Sequence, residues 1–131
     1  MSFLTHRVTE DQCLFVTYKG ASQITEMMSA RYATNGYLAL KHWHKIIVDI
    51  TGLQSMPTMM EVIGLTSDLS SDLPPGTRIA VVVNPEQITF AKVAECVARI
   101  ENVRLNCFFA MEEAKAWVNE TQKTTTGAAK S

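Results

Sequence analysis

The sequence predicts an α/β fold, a single mixed sheet of about five strands with about four helices. Two runs, "KIIVDI" and "RIAVVV", are continuously apolar and rich in β-branched residues, the pattern of strands buried on both faces. Segments of helical period follow each of them. Ahead of these, two alternating stretches joined by polar turn residues open the chain.

In chain order, "FLTHRV" and "CLFVTYKG" each alternate in character around "TEDQ", which predicts an antiparallel hairpin. The stretch "SQITEMMSARYATNG" predicts a first helix, with Ser22 or Thr25 as N-cap, apolar Ile24, Met27, Met28 and Tyr32, and Asn35-Gly36 as a left-handed stop. "KIIVDI" follows as a strand that places Asp49 at its carboxyl end. A second helix begins near Thr58, where Thr58-Met59-Met60-Glu61 matches the T-x-x-E capping box and Pro57 forms a non-helical approach. It runs to about Leu69. "SSDLPPGT" is a loop into "RIAVVV", which Asn84-Pro85 closes.

The third helix carries an apolar stripe of Phe90, Val93, Ala94, Val97 and Ile100, with Lys92, Glu95 and Arg99 elsewhere and Glu95 to Arg99 as a favourable i,i+4 pair. "VRLNCFF" is a strand. "MEEAKAWVNE" is a terminal helix that presses Ala114, Trp117 and Val118 onto the sheet. Residues 1–120 are expected to form one domain and 121–131, with no apolar residue larger than alanine, a flexible tail. In the order β-β-α-β-α-β-α-β-α, strands separated by helices run parallel through right-handed crossovers. Ligands of such sheets sit beyond the carboxyl ends of the strands, here after Asp49, Val83 and Phe109.

Composition removes several functions. Net charge is −1 with scattered Lys and Arg, so no basic patch invites nucleic acid. The apolar runs are far shorter than the roughly 18–20 residues of a membrane span. The start "MSFLTHRVTEDQ" has no secretory pattern, which makes the cytoplasm the expected compartment. Cys13, Cys96 and Cys107 form neither a disulfide framework nor a CxxC motif and read as buried thiols. There is no Gly-rich phosphate loop, H-E-x-x-H or G-x-S-x-G, so neither a cofactor nor an enzymatic site is expected.

Asp49 could orient a ligand or serve as a base; the alternative is that it accepts hydrogen bonds from the following "TGL" turn. His42 and His44 share a face if "HWH" is extended, and a pair so spaced can chelate a metal; a third ligand is missing, since the sequence does not place His6 of the hairpin beside them, and a solvated loop edge is the simpler reading. Five of the seven methionines, Met27, Met28, Met56, Met59 and Met60, gather at two helix entrances. Thioethers suit both cores and adaptable surfaces, and Met59 and Met60, adjacent on one helix, cannot both face the core.

The segments "KIIVDITGLQSMPTMMEV", "TRIAVVVNP" and "CFFAMEEAKAWV" together resemble the STAS/SEC14-type small bacterial domains related to anti-sigma-factor antagonists of the SpoIIAA type, over about residues 13 to 120. In the phosphorylated antagonists the matching helix start reads Asp-Ser-Ser-Gly, with the first serine as phosphate acceptor. An ungapped match puts Pro57, Thr58, Met59 and Met60 at those positions, so three of four depart. The resemblance implies a partner-binding surface here, with Thr58 as a weak phosphoacceptor candidate. As a cap Thr58 contributes roughly 1 kcal/mol, and Glu61 repels a phosphate placed there.

Two functions follow as expectations. The first is a non-enzymatic regulatory module that binds a protein partner or a second copy through residues 54–63, with Asp49, Ser55, Met56, Thr58, Met59 and Met60 as its surface. The alternative is a small apolar ligand, a lipid or acyl group, held between the Met-rich helices and the sheet.

Overall fold

The β-branched runs form the middle of a five-stranded sheet of order β1-β2-β3-β4-β5 in the computed structural model, which describes residues 4–10, 12–21, 24–66, 73–74 and 76–120. The strands are β1 Leu4–Glu10, β2 Cys13–Gly20, β3 Lys45–Leu53, β4 Arg78–Val82 and β5 Arg104–Phe108. Four of them, β2 to β5, run parallel, and β1 pairs antiparallel along the β2 edge. The helices are α1 Ile24–Lys41, α2 Met59–Thr66, α3 Ile88–Ile100 and α4 Met111–Val118, with a 3-10 turn at Pro85–Gln87.

Strand order equals chain order, so right-handed crossovers deliver α1, α2 and α3 to the same face of the sheet. The packing agrees. Leu14, Val16, Ile46, Ile50, Val81 and Leu105 face Met27 and Leu38 of α1, Val62 of α2 and Ala91, Ala94 and Ala98 of α3. With no later strand to reach, α4 covers the other face, where Ala114 and Val118 pack on Cys13, Ile47, Ala80 and Val82. Ile46 to Val48 of β3 and Ile79 to Val82 of β4 are therefore apolar without a break, since period-2 alternation feeds two cores.

Cations at the amino ends of the strands hold the last turn of α4. Arg78, buried at 7% exposure, donates from Nη1 to the Trp117 carbonyl at 2.6 Å and to Glu120 Oε1 at 3.3 Å, and its guanidinium lies 5.3 Å from the Trp117 ring centroid. Lys45 Nζ donates to Asn119 Oδ1 at 2.8 Å. A helix C-terminus with free carbonyls favours positive charge, which the register supplies by placing Lys45 opposite Arg78.

Several expectations need correction. Asn35-Gly36 does not stop α1, which continues to Lys41 because Asn35 and Leu38 are buried and hold the next turn against the core. The stop is His42, at φ 60°, with Trp43 N–H donating to Leu38 O at 3.1 Å and His42 N–H to Ala39 O at 3.3 Å, the paired bonds of a Schellman cap. Asn102, at φ 63°, closes α3 in the same way through Val103 N–H to Ala98 O at 2.8 Å. The buried stripe of α3 is Ala91, Ala94 and Ala98, while Ile100 is 76% exposed; small residues let the helix approach the sheet. Glu95 turns to the sheet edge, where its Oε2 accepts from the Cys107 backbone N–H at 2.7 Å, instead of pairing with Arg99. Cys13 is buried and Cys107 half-buried, but Cys96 is exposed. β3 extends past Asp49 to Leu53. The proposed N-cap Ser22, the end of the second helix at Leu69, part of the "SSDLPPGT" loop and the 121–131 tail lie outside the described residues.

Candidate functional site

The T-x-x-E pattern is realised as a reciprocal cap at the start of α2. Thr58 N–H donates to Glu61 Oε1 at 2.9 Å, and Glu61 N–H donates to Thr58 Oγ1 at 3.2 Å. Val62 N–H then donates to Thr58 O at 2.9 Å, the first helical bond. The core-facing positions of this short helix begin only at Val62, 1% exposed, and recur at Thr66. The first turn precedes them, leaving Met59 59% and Met60 75% exposed.

The loop before the cap is anchored at both ends. Gln54 N–H donates to Gly20 O at 2.8 Å, and Pro57 is buried. Met56 is half-buried against the α1–α3 core. Beneath it lies Gln87, only 4% exposed: its Nε2 donates to Ile50 O at 2.8 Å and lies 3.4 Å from Met56 Sδ, while its Oε1 accepts from Asn84 N–H at 3.0 Å. One buried amide thus joins the end of β3, the 54–58 loop and the turn into α3. Sequence reading passed over it because a lone glutamine after Asn-Pro-Glu carries no pattern.

Asp49 is not part of this surface. Ile46, Val48 and Ile50 pack on the α1–α3 side, so alternation turns Asp49, like Ile47, to the α4 side of the sheet. Its Oδ1 accepts from Thr51 N–H at 2.9 Å and Thr51 Oγ1 at 2.7 Å, which uses the carboxylate within its own turn. The β3–β4 pairing ends at Asp49 opposite Val82.

Ser55 and Thr58 are exposed beside the methionines, so of the six candidate surface residues Ser55, Met56, Thr58, Met59 and Met60 come together. The histidines do not converge. His42 caps α1 and His44 precedes β3, whereas His6 is aligned with Thr17, itself opposite Asp49, five residues or about 16 Å further along the strands than His44. Among the described residues no three His, Cys, Asp or Glu side chains are grouped to hold a metal. No helix among them is long and apolar enough to cross a membrane.

The end of the sheet that carries α2 has a distinctive surface. Of seven large apolar side chains exposed among the described residues, four follow the carboxyl ends of strands: Met59 and Met60 after β3, Ile88 after β4 and Phe109 after β5. Acids accompany them at Glu61, Glu86, Glu112 and Glu113, in the first turns of the helical segments. The sequence has no Lys or Arg between Lys45 and Arg78, between Arg78 and Lys92, or between Arg104 and Lys115. Acids at helix N-termini offset the positive dipole ends. They also make this end a poor place for a phosphate.

No known protein family matches the chain by sequence, and no curated protein does. Solved structures are similar to it. An anti-sigma factor antagonist from Mycobacterium paratuberculosis superposes with TM-score 0.62 at 12% identity, covering 91% of this chain and 96% of that one. An uncharacterised protein of the DUF3478 family from Shewanella loihica, described as having a SpoIIAA-like fold, superposes with TM-score 0.57 at 14% identity, covering 88% and 93%. The chain has a SpoIIAA-like α/β fold.

Proposed function

We propose that the chain is a non-enzymatic regulatory module that docks a protein partner, or a second copy of itself, through the 54–58 loop and the first turn of α2. The observation that carries this reading is the exposure of Met59 and Met60 on a turn held rigid by a reciprocal cap. Covering what each now exposes stabilises a complex by about 1–2 kcal/mol per side chain. A capped turn and a buried Gln87 hold them in place beforehand, which limits the entropy lost on binding. Ile88 and Phe109 extend the apolar area, and the surrounding acids select a partner with a basic rim. The similarity to an anti-sigma factor antagonist supports a regulatory role of this kind.

The module comprises residues 1–120, with 121–131 as a tail, and acts in the cytoplasm. Thr58 serves as a cap; a phosphate on its Oγ would displace the Glu61 bond and stand among acids. A lipid or long acyl group finds little support: the apolar cavity between α1, α3 and the sheet measures about 110 Å3, below the roughly 300–1,000 Å3 of sites for drug-sized ligands. Native mass spectrometry of the purified protein tests self-association. If a dimer is the functional form, the wild type gives a dimer that Met59→Asp with Met60→Asp converts to monomer; a dimer that survives both substitutions assigns the contact to another face.

A further inference from the structure

The strand register lines up three cations at the amino ends of neighbouring strands, at the end of the sheet away from α2. Lys45 is opposite Arg78 and Arg78 opposite Arg104, on strands about 4.8 Å apart. Ile46, Ile79 and Leu105 face the α1–α3 core, so alternation sends all three cations to the α4 side. Like charges so close repel and call for compensation. Lys45 finds Asn119, and Arg78 finds the Trp117 carbonyl and Glu120. Arg104 finds nothing: its guanidinium has no hydrogen-bond, ion-pair or ring partner among the described residues. Arg99, in the last turn of α3, is equally unpaired among them. The dipole of its own helix accounts for its charge, but not for its meeting Arg78 and Arg104 in one groove.

That groove measures about 350 Å3 and follows β5, the last strand of the sheet, within the roughly 300–1,000 Å3 of small-molecule sites. Its two acids are already engaged, Glu120 with Arg78 at 3.3 Å and Glu95 with the Cys107 backbone N–H at 2.7 Å. Three guanidiniums against two carboxylates leave the wall with one positive charge in excess. A monoanion matches that excess, whereas a dianion overshoots it and meets Glu95 and Glu120. The rest of the wall is the Asn106 amide together with Val103, Leu105 and Trp117, which offer apolar surface. We infer that this groove binds a small monocarboxylate with a compact apolar body, its carboxylate held by Arg99 and Arg104 and its body lying against Val103 and Trp117. Guanidinium forks match carboxylate geometry, and such charge-assisted bonds are stronger than neutral ones.

The site is independent of the α2 surface and is tested separately. Benzoate, benzamide and phenyl phosphate share a ring and differ in the charge of the head group. Each is titrated into isotope-labelled protein and read at the Trp117 indole N–H and the Leu105 and Asn106 backbone amides. Benzoate is expected to give saturable shifts, to bind about tenfold more tightly than neutral benzamide, and to bind more tightly than phenyl phosphate. Arg99→Gln and Arg104→Gln, both at exposed positions, are each expected to weaken benzoate about tenfold. Lys92→Gln removes an exposed cation of α3 that lies outside the groove and is expected to leave benzoate affinity within about twofold. The wild-type comparison of the three probes stands on its own if a variant does not fold. Absence of saturable shifts with benzoate, equal binding of benzamide or tighter binding of phenyl phosphate overturns the assignment. So does a benzoate affinity that survives either arginine substitution, or one that falls as far in Lys92→Gln.

Discussion

Replacing Gln87 by Met keeps the length and approximate volume of the side chain and removes its hydrogen bonds to Ile50 O and Asn84 N–H together with the weaker one to Met56 Sδ. In the wild type Nε2 donates to Ile50 O at 2.8 Å and Oε1 accepts from Asn84 N–H at 3.0 Å, in a side chain that is 4% exposed. Ile50 lies just past the last β3–β4 pair, where the ladder with β4 has ended. Each group left without its partner costs about 1–3 kcal/mol. Together, with no cavity created, Gln87→Met is expected to lose about 2–4 kcal/mol of a total that is about 5–15 kcal/mol for a domain. At about 4 °C per kcal/mol this lowers Tm by about 8–16 °C. In urea the midpoint falls by about 1–2 M with an unchanged slope, because the native fold still buries the same surface. A loss below about 0.5 kcal/mol refutes the view that this amide ties β3, the 54–58 loop and the turn into α3 together.

Thr58→Ala removes the acceptor of Glu61 N–H and is expected to cost about 1 kcal/mol by chemical denaturation, with Thr58→Ser restoring most of it. Gly36→Ala is expected to stabilise by about 0.5–1 kcal/mol, since α1 passes through Gly36 and an added Cβ meets nothing within 4 Å; destabilisation contradicts the continuous helix. Among the thiols, iodoacetamide at pH 8 is expected to label exposed Cys96 rapidly and to spare Cys13 and Cys107 until unfolding. Burial, then the neighbouring Glu95 carboxylate and its hydrogen bond, push the Cys107 thiol from 9.0 up to about 12. The folded state therefore keeps this proton where the unfolded chain loses it. Stability from this group is intact below pH 9 and lost between pH 9 and about 12, so Cys107→Ala is expected to show a shallower decline over that range in denaturation measured against pH.

Features with strong local physics were legible in the sequence. Continuous β-branched runs marked β3 and β4, because strands between two cores have no polar face, and the Thr58–Glu61 box marked the start of α2. What escaped was decided by distant contacts. Asn35-Gly36 reads as a stop, but burial of Leu38 one turn later outweighs the local preference for a left-handed residue. The α3 stripe was drawn through its largest apolar residues, whereas close approach to the sheet selects alanines and leaves Ile100 outside. At the candidate site, the outward aspect of the Met59-Met60 pair followed from helix geometry, with both proving exposed. Gln87 left no trace, since its partners are 3 and 37 residues away in sequence. Asp49 reads as a ligand-orienting carboxylate from its place at the end of "KIIVDI"; strand alternation turns it to the α4 face of the sheet, away from the α1–α3 core.

The claim that α2's first turn is the docking surface is tested most directly by affinity capture from the native lysate, quantified for wild type, Met59→Asp with Met60→Asp, and Ile100→Asp. Ile100 is as exposed as Met60 but lies at the far end of α3, so it controls for any loss of surface apolar area. The account predicts that a partner retained by the wild type and by Ile100→Asp is lost from the double methionine variant while its Tm stays within a few degrees. Retention of every association by the double methionine variant would contradict it.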